Sequence, residues 1–227
     1  MKSVNQVLVL LFLSILSTCL PLSISAQAES SDTKARALLD KVKKLYESYG
    51  SMESGFALTL KMAEQTKEEV QKGKIFQQGG NYRVEMGKQL ILSDGKAVWH
   101  KEDNIVRIMD ANQKMGDAMM SPKDLMNIYQ KKEYTYAISG ENAESWSKKA
   151  TIITFKPNSR KGEYTQIKVA IDQKTNQVVS ITAFGKDQSR YKLSLEQPVA
   201  NKKYAIEFFK FDKAKFPNVK VEDLRID

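Results

Sequence analysis

The chain has 227 residues, of which 36 are lysine or arginine, 27 are aspartate or glutamate, one is cysteine and one is histidine. These counts exclude a disulfide framework within the chain and a zinc site built from histidine and cysteine alone, and any Ser-His-Asp triad would need His100. With 41% hydrophobic and 28% charged residues, the composition is that of an ordinary globular protein.

Residues 1–28 have the features of a secretory signal peptide. Lys2 precedes the apolar run Val7–Leu13, and Ala26-Gln27-Ala28 fits the A-x-A cleavage pattern. We therefore expect cleavage near Ala28, a periplasmic protein, and one domain over residues 29–227.

A bacterial lipoprotein signal is the alternative interpretation of this segment. Leu16-Ser17-Thr18-Cys19 would then be the lipidation box. Thr18 is unusual before such a cysteine, and Leu20-Pro21-Leu22 would be an apolar start for a tethered chain. Cleavage near Ala28 leaves a chain without cysteine, and its fold must then depend on core burial.

The formal net charge of +9 raises the question of a nucleic-acid partner. Export argues against nucleic acid, and the lysines are spread over predicted strands and turns. We therefore predict no nucleic-acid binding, and a solvated surface is the simpler interpretation. The excess charge also predicts attraction to anionic lipid surfaces or acidic partners.

The exported part of the chain begins with a predicted amphipathic helix. Asp32 is a favourable N-cap, Thr33–Tyr49 carries apolar residues at helical spacing, and Gly50 ends the helix. From Ser54 onward the period changes to two, which predicts a strand with one apolar face formed by Phe56, Leu58, Leu60 and Met62.

Short strands follow at regular intervals. The first group is predicted at Gly73–Gln77, Tyr82–Met86, Gln89–Ser93, Ala97–Lys101 and Ile105–Asp110. Turn residues such as Asp94-Gly95 separate them, because these residues tolerate the positive φ of tight turns. The second group is predicted at Tyr134–Ser139, Ala150–Phe155, Thr165–Asp172, Gln177–Phe184, Arg190–Glu196 and Ala205–Phe211.

The alternation stops between Ala111 and Gln130. Ser121-Pro122 predicts the start of a short helix within this insertion. Its apolar residues include Met115, Met119, Met120, Leu125 and Met126. Methionine is flexible and polarisable, so these residues suit either an adaptable ligand lining or the edge of a core. The sequence alone leaves both interpretations open.

The predicted fold class is mainly β (α+β): one large antiparallel sheet, a helix before it and a helical insertion in its middle. A sheet of roughly ten strands tends to curl or split. A curled sheet under a helical lid encloses an apolar cavity, so we predict a ligand cavity rather than a catalytic cleft. Its predicted lining is Phe56, Leu58, Leu60, Met62, Tyr82, Val84, Met115, Met119, Met120, Leu125 and Met126.

The sequence contains few candidate catalytic residues. His100 follows Trp99 on a strand that ends in a polar turn, which is typical of an exposed or edge histidine. Carboxylate pairs such as Glu68 and Glu69 lie in polar loops, without an apolar setting that would raise a pKa. We predict no catalytic residue, no metal and no cofactor.

Several motifs resemble those of the LolA-type periplasmic lipoprotein carriers. Ser93-Asp94-Gly95-Lys96-Ala97-Val98-Trp99 resembles the S-D-G-K-x-x-W hairpin of that family. Tyr82-Arg83-Val84-Glu85 resembles its aromatic-Arg-apolar strand, and Ser121-Pro122 through Met126 resembles its lid helix. The resemblance extends over nearly all of Thr33–Arg225.

The resemblance implies an unclosed antiparallel half-barrel with a helical lid, in which Tyr82 takes the place of a cavity aromatic. It also implies a monomeric carrier of acylated lipoproteins. Such a carrier receives its cargo from an inner-membrane lipoprotein-releasing ABC transporter and delivers it to the outer membrane, where an acceptor can take it. Gln77-Gln78-Gly79 stands where many members have Lys-Arg-Pro. The mechanism of lid opening, which the family links to that arginine, is therefore left open.

Two other functions compete with that of a carrier. A periplasmic lipid or lipoprotein sensor could use the same fold, although such sensors usually have a further domain. An envelope hydrolase would need a nucleophile and a base, for which only His100 and solvated carboxylates are available. Lipid that co-purifies with the protein would favour the carrier.

Overall fold

The computed structural model describes residues 32–111, 128–130 and 132–225. The predicted signal peptide and the methionines of the predicted insertion therefore lie outside the described residues. Within the described ranges, we find no helix with the length and apolar character that a membrane crossing requires.

The predicted N-terminal helix is confirmed as α1, Thr33–Glu47, which ends before the predicted Tyr49. Asp32 caps the helix, because its Oδ1 accepts a hydrogen bond from the backbone N–H of Lys34 at 2.7 Å. At the other end, the backbone N–H of Ser48 donates to Lys44 and Leu45.

The strands predicted between Ser54 and Glu196 are all present. The first six are β1 (Ser51–Lys61), β2 (Glu69–Gln78), β3 (Asn81–Met86), β4 (Gln89–Ser93), β5 (Ala97–Glu102) and β6 (Ile105–Asp110). After the short 3₁₀ helix Ile128–Gln130 come β7 (Tyr134–Asn142), β8 (Ala150–Pro157), β9 (Tyr164–Asp172), β10 (Val178–Gly185) and β11 (Arg190–Leu195). The sequence did not predict the last two strands, β12 (Val199–Ala200) and β13 (Lys220–Asp223).

These strands form one sheet of 13 strands in the order β13-β6-β5-β4-β3-β2-β1-β11-β10-β9-β8-β7, with β12 beside β1. The sheet is unclosed, because β13 and β7 stand at opposite ends of this order. It is antiparallel, as predicted, except where β13 runs parallel to β6. The centre of the sheet joins distant parts of the chain, since β1 pairs with β11.

The predicted strand Ala205–Phe211 is wrong. Residues Ile206–Phe209 form a 3₁₀ helix, in which Phe208 and Phe209 both pack against Tyr204, with ring centroids 5.1 and 6.0 Å away. A strand would turn these consecutive phenylalanines to opposite sides. Packing of both rings on the same side therefore requires a helical turn.

We call the side of the sheet that α1 covers the inner face. Ala35, Leu39 and Val42 of α1 pack there against one core cluster, whose strand residues come from β7, β8, β9 and β10 and include Tyr136, Ile153, Phe155, Ile167, Val169, Ile171 and Val178. Ile153 is fully buried, and Phe155 is 1% exposed. This part of the sheet, from β7 to β10, is the helix-covered inner face.

Hydrogen bonds fix α1 at both ends of this face. The backbone N–H of Asp32 donates to the carbonyl of Tyr136 on β7 at 2.8 Å. Near the other end, the hydroxyl of Tyr46 accepts a hydrogen bond from the backbone N–H of Val178 on β10 at 3.2 Å. The helix therefore spans the width of the strands that it covers.

The opposite side of the sheet, the outer face, is covered over β2 and β3 by the segment that follows β12. Phe208 lies 5.1 Å from Phe76 of β2 between ring centroids, and the Arg83 guanidinium of β3 stands 4.6 Å over the Phe208 ring. Because side chains alternate along a strand, these contacts also fix which residues of β2 and β3 point inward.

Candidate functional site

Five of the predicted lining residues share the inner face of strands β1 and β3. Phe56 on β1 is opposite Gly73 on β2, which is opposite Met86 on β3. Residues directly opposite in an antiparallel pair lie on the same face, and so do residues two apart along a strand. The register therefore places Phe56, Leu58, Leu60, Tyr82 and Val84 together.

These five residues differ in exposure. Phe56 is 9% exposed, whereas Leu58, Leu60, Tyr82 and Val84 are all half-buried. The predicted lining residue Met62 does not extend the row: it follows Lys61, the last residue of β1, and is 39% exposed. The strand ends there because the chain turns towards β2.

The other five predicted lining residues are Met115, Met119, Met120, Leu125 and Met126, and they lie outside the described residues. The inner face also contains apolar residues that the sequence analysis did not name. Ile75 on β2 is opposite Val84, Val84 is opposite Ile91 on β4, and Val98 on β5 is opposite Ser93 on β4. The alternation within these short strands was visible, but their register was not. We call the inner sides of β1 to β6 the N-terminal inner face.

Phe56 lies against the sheet because Gly73 has no side chain. A Cβ atom at Gly73 would stand 2.4 Å from Cζ of Phe56 and 2.4 Å from the carbonyl oxygen of Glu85. Glycine inside a strand often marks such a close approach. Phe56 thus lies on β1, the strand that is paired with β11 and so connects the N-terminal inner face to the helix-covered inner face.

The N-terminal inner face becomes more polar from β4 to β13. Ile91 on β4 is opposite His100 on β5, His100 is opposite Arg107 on β6, and Arg107 is opposite Glu222 on β13. Nε of Arg107 lies 3.4 Å from a carboxylate oxygen of Glu222. A hydrogen bond from Lys220, and to a lesser extent the charge of Arg107, lower the pKa of Glu222. Along this row the face is therefore apolar from Ile75 to Ile91 and polar from His100 to Glu222.

A recess of ≈ 420 Å³ opens at the turns that join β3 to β4 and β5 to β6. The inner-face residues Met86, Gln89 and Glu102 contribute to its wall, together with the turn residues Gly87 and Asp103. A second recess, of ≈ 300 Å³, lies on the outer face between Phe208 and Phe216. The first therefore borders the N-terminal inner face, and the second does not.

The segment that covers the outer face is held to β1 by a polar cluster. The carboxylate of Glu53 accepts hydrogen bonds from the Lys202 ammonium and from the Tyr204 hydroxyl. These two donors lower the pKa of Glu53, and burial together with the Glu53 carboxylate raises the pKa of Tyr204 to about 12. The backbone N–H of Tyr204 also donates to Gln78 on β2 at 3.0 Å.

Metal-binding side chains do not gather in the part of the chain that the structure describes: it contains no group of three or more histidine, cysteine, aspartate or glutamate residues suited to a metal ion. The inner face offers burial of apolar groups along the row from Ile75 to Ile91 and hydrogen bonding near β5 and β6. An elongated molecule with an apolar part and a polar part is complementary to such a surface.

Comparison with known families identifies the chain. The family model described as "Outer membrane lipoprotein carrier protein LolA" matches residues 47–212, which include all of β1 to β11. The chain belongs to the LolA family. The match starts at the last residue of α1 and ends before β13, so the strands that carry both parts of the inner face lie within the family region.

Solved structures show a similar fold. An uncharacterized conserved protein from Thermus thermophilus matches with 11% identity and a TM-score of 0.51, over 85% of this chain and 99% of that one. A LolA superfamily protein from Nitrosomonas europaea matches with 11% identity and a TM-score of 0.41, over 78% and 97% of the two chains. The Mycobacterium tuberculosis lipoprotein LppX matches with 11% identity and a TM-score of 0.47, over 75% and 98%. No curated protein sequence matches the chain.

Proposed function

We propose that this LolA-family protein binds the acyl chains of lipoproteins on its N-terminal inner face and carries them across the periplasm, from the inner to the outer membrane. The observation that carries the proposal is the group of half-buried apolar side chains on the inner side of β1 to β3. Its members are Leu58, Leu60, Ile75 and Val84, and all of them keep accessible surface. Apolar side chains that are neither fully buried nor scattered mark a binding surface.

The energetics suit a carrier. Each buried methylene group contributes about 0.8 kcal/mol, so a sixteen-carbon chain gains on the order of 12 kcal/mol before any costs are subtracted. A carrier must also release its cargo, and an element that covers the empty site can offset part of this gain. We propose that residues of the insertion, namely Met115, Met119, Met120, Leu125 and Met126, supply this cover and complete the lining.

The proposed route determines which partners the protein would have at each membrane. The protein is exported with cleavage near Ala28, acts as a monomer, and receives acylated lipoproteins from an inner-membrane lipoprotein-releasing ABC transporter. It delivers them at the outer membrane, to an acceptor or to the membrane itself. Nothing in this route requires covalent chemistry or a cofactor.

Lipid extraction tests the proposal directly. The protein is purified from the periplasm without detergent, and its apolar extract is analysed by mass spectrometry. Intact acylated lipoproteins or their acyl-bearing N-terminal peptides support the carrier. Free fatty acids that accumulate with time from an added acyl ester would instead indicate a hydrolase. A protein that binds acyl chains but does not transfer them between two membrane fractions would be a sensor.

A pair of neighbouring variants locates the site. Leu58 and Thr59 are adjacent on β1 and both half-buried, but they point to opposite faces of the sheet. Leu58→Asp puts a carboxylate among the proposed acyl chains, where its desolvation costs several kcal/mol. We expect it to weaken binding of a fluorescent fatty-acyl probe at least tenfold, whereas Thr59→Asp leaves binding unchanged.

Two outcomes would contradict this location. If both variants bind the probe like the parent, the acyl chains do not lie on the N-terminal inner face. If both lose binding and thermal stability together, Leu58 is ordinary core. Met119→Glu extends the test to the insertion: if this residue contributes to the lining, the variant should lose probe binding while its thermal midpoint stays near that of the parent.

A further inference from the structure

His100 on β5 has a ring nitrogen that lacks a partner. The neighbouring Lys101 points to the outer face, where its Nζ lies 5.1 Å from the centre of the Phe216 ring, so His100 points to the inner face. Nε2 of His100 is inaccessible to solvent and has no hydrogen-bond partner in the described ranges 32–111, 128–130 and 132–225. Buried polar atoms without partners are rare because they are costly. Such an atom on a proposed binding face indicates a ligand contact.

The neighbours of His100 indicate which kind of ligand atom could bind to it. On one side stands Ile91, the last apolar residue of its row, and on the other stands Arg107. Arg107 faces the carboxylate of Glu222 and shares it with Lys220. His100 therefore lies where the apolar part of its row ends, beside a cation that already has a carboxylate neighbour.

We propose that Nε2–H of His100 donates a hydrogen bond to the ester or amide carbonyl of an acyl chain bound on the N-terminal inner face. This inference rests on the proposed function and deepens it, because it places one end of the acyl chain. A neutral imidazole ring can carry its proton on Nε2 and then has one N–H donor there, which matches one neutral carbonyl acceptor.

The dimensions of the sheet agree with this placement. From β5 to β1 there are four spacings between neighbouring strands, or about 19 Å. Across the sheet, the register leads from His100 through Ile91, Val84 and Ile75 to Ser54 on β1. An acyl chain whose carbonyl is held at His100 can therefore cross β4, β3 and β2 and reach β1. The polar group beyond the carbonyl then lies towards Arg107 and the β13 edge, away from the apolar row.

A matched pair of lipids tests the carbonyl contact on the unmodified protein. 1-Palmitoyl glycerol and 1-O-hexadecyl glycerol have the same chain length and the same glycerol group, and only the first has a carbonyl. Each lipid is used to displace a fluorescent fatty-acyl probe. We expect the ester to bind about tenfold more tightly than the ether, which is the effect of one hydrogen bond to a buried group.

The outcomes separate this inference from the carrier proposal. If neither lipid displaces the probe and the probe itself does not bind, the proposed function fails. If both lipids displace the probe equally well, the carbonyl contact is wrong, whereas the acyl-binding function stands.

A variant assigns the preference to His100. His100→Phe keeps a ring of similar shape but removes both nitrogens, so we expect the preference for the ester to fall to about twofold or less while the ether binds as before. Lys101→Phe makes the same substitution at the adjacent outward position and should keep the full preference. A full preference in His100→Phe would overturn the assignment, and the parent measurement remains decisive if this variant does not fold.

Discussion

The helix-covered inner face and the N-terminal inner face belong to one sheet and have the same alternation of apolar residues, yet their side chains differ in burial. On the first, Ile153 is fully buried and Val169 is 7% exposed beneath α1. On the second, Ile75 and Val84 of β2 and β3 remain half-buried, whereas Ile91 and Val98 of β4 and β5 are buried. The strands themselves do not make this difference. The element that lies across them decides whether an apolar side chain becomes core or stays half-buried, as it does on the proposed binding surface.

The comparison also shows where the protein places its stabilising contacts. Tyr46, Tyr129 and Tyr136 use their rings to fill the space under α1, and the hydroxyl of Tyr129 donates to Asp40 of the helix at 2.7 Å. Burial, together with the Asp40 carboxylate, raises the pKa of Tyr129 to about 12. The helix-covered inner face is thus anchored by both apolar and polar contacts.

The largest expected effect separates two isoleucines on the same face of the sheet. Ile153→Ala should lower the free energy of unfolding by about 2–5 kcal/mol, because the residue is fully buried and its removal leaves a cavity. Ile75→Ala, at a half-buried position, should cost less than half as much. Urea unfolding measures both. Equal losses would mean that the two faces are one continuous core.

Gly73, in the middle of β2, gives the next effect. In Gly73→Ala, the new Cβ atom would clash with the Phe56 ring and with the backbone of Glu85, and overpacking of this kind costs about 1–3 kcal/mol. Gly80→Ala is the control, since no atom lies within 4 Å of a Cβ placed there. Thermal unfolding should show a clear decrease for the first variant only, and equal midpoints would contradict the packing of Phe56 on the sheet.

Acid should destabilise the strands that carry the helix-covered inner face through Asp172, the buried last residue of β9. Although burial opposes it, hydrogen bonds from Ser147 and Thr175 hold the pKa of Asp172 below its ordinary value of 3.8. A lowered pKa in the folded state stabilises the protein at neutral pH, and this contribution is lost as the pH falls below about 4. We expect Asp172→Asn to lose about 2 kcal/mol at pH 7 and less at pH 3, so its stability should vary less with pH than that of the parent. Unfolding curves between pH 2 and pH 7 measure this, and parallel profiles would exclude it.

The smallest expected effect concerns the docking of α1. Tyr46→Phe removes the hydroxyl that accepts a hydrogen bond from the backbone N–H of Val178, which should cost about 1 kcal/mol. Because this contact lies on the helix-covered inner face, binding of the acyl probe should not change. A variant that keeps its stability but loses probe binding would show that the two faces are coupled through α1.

The sequence predicts local structure well here and distant contacts poorly. Alternating residues and turn residues locate α1 and the strands from β1 to β11, because these signals depend on neighbours in the chain. The common side of Phe56, Leu58, Tyr82 and Val84 also follows from alternation, since β1 and β3 each have one side that is mainly apolar. Local signals therefore suffice to find the face that carries the candidate site.

What the sequence does not predict depends on tertiary packing. Phe208 and Phe209 have strand-like composition, but both rings pack with Tyr204 and the chain becomes a 3₁₀ helix. Strand β13 pairs in parallel with β6, far away in the sequence, and brings Glu222 beside Arg107. The sequence predicts an exposed or edge position for His100, whereas it lies between Ile91 and Arg107 on the inner face. The register that turns it inward cannot be read from one strand.

An unclosed sheet also exposes two edges that could recruit strands from other molecules, and this protein limits that risk at both of them. At β7, Asp32 occupies part of the edge: its N–H donates to Tyr136, and its carboxylate accepts a hydrogen bond from the backbone N–H of Ile138 at 3.4 Å. At the other end, β13 has only 4 residues, and Lys220, Glu222 and Asp223 are charged. A short, charged edge and an edge occupied by a helix cap are poor templates for aggregation. The half-barrel can therefore stay open for a ligand without polymerising through its own strands.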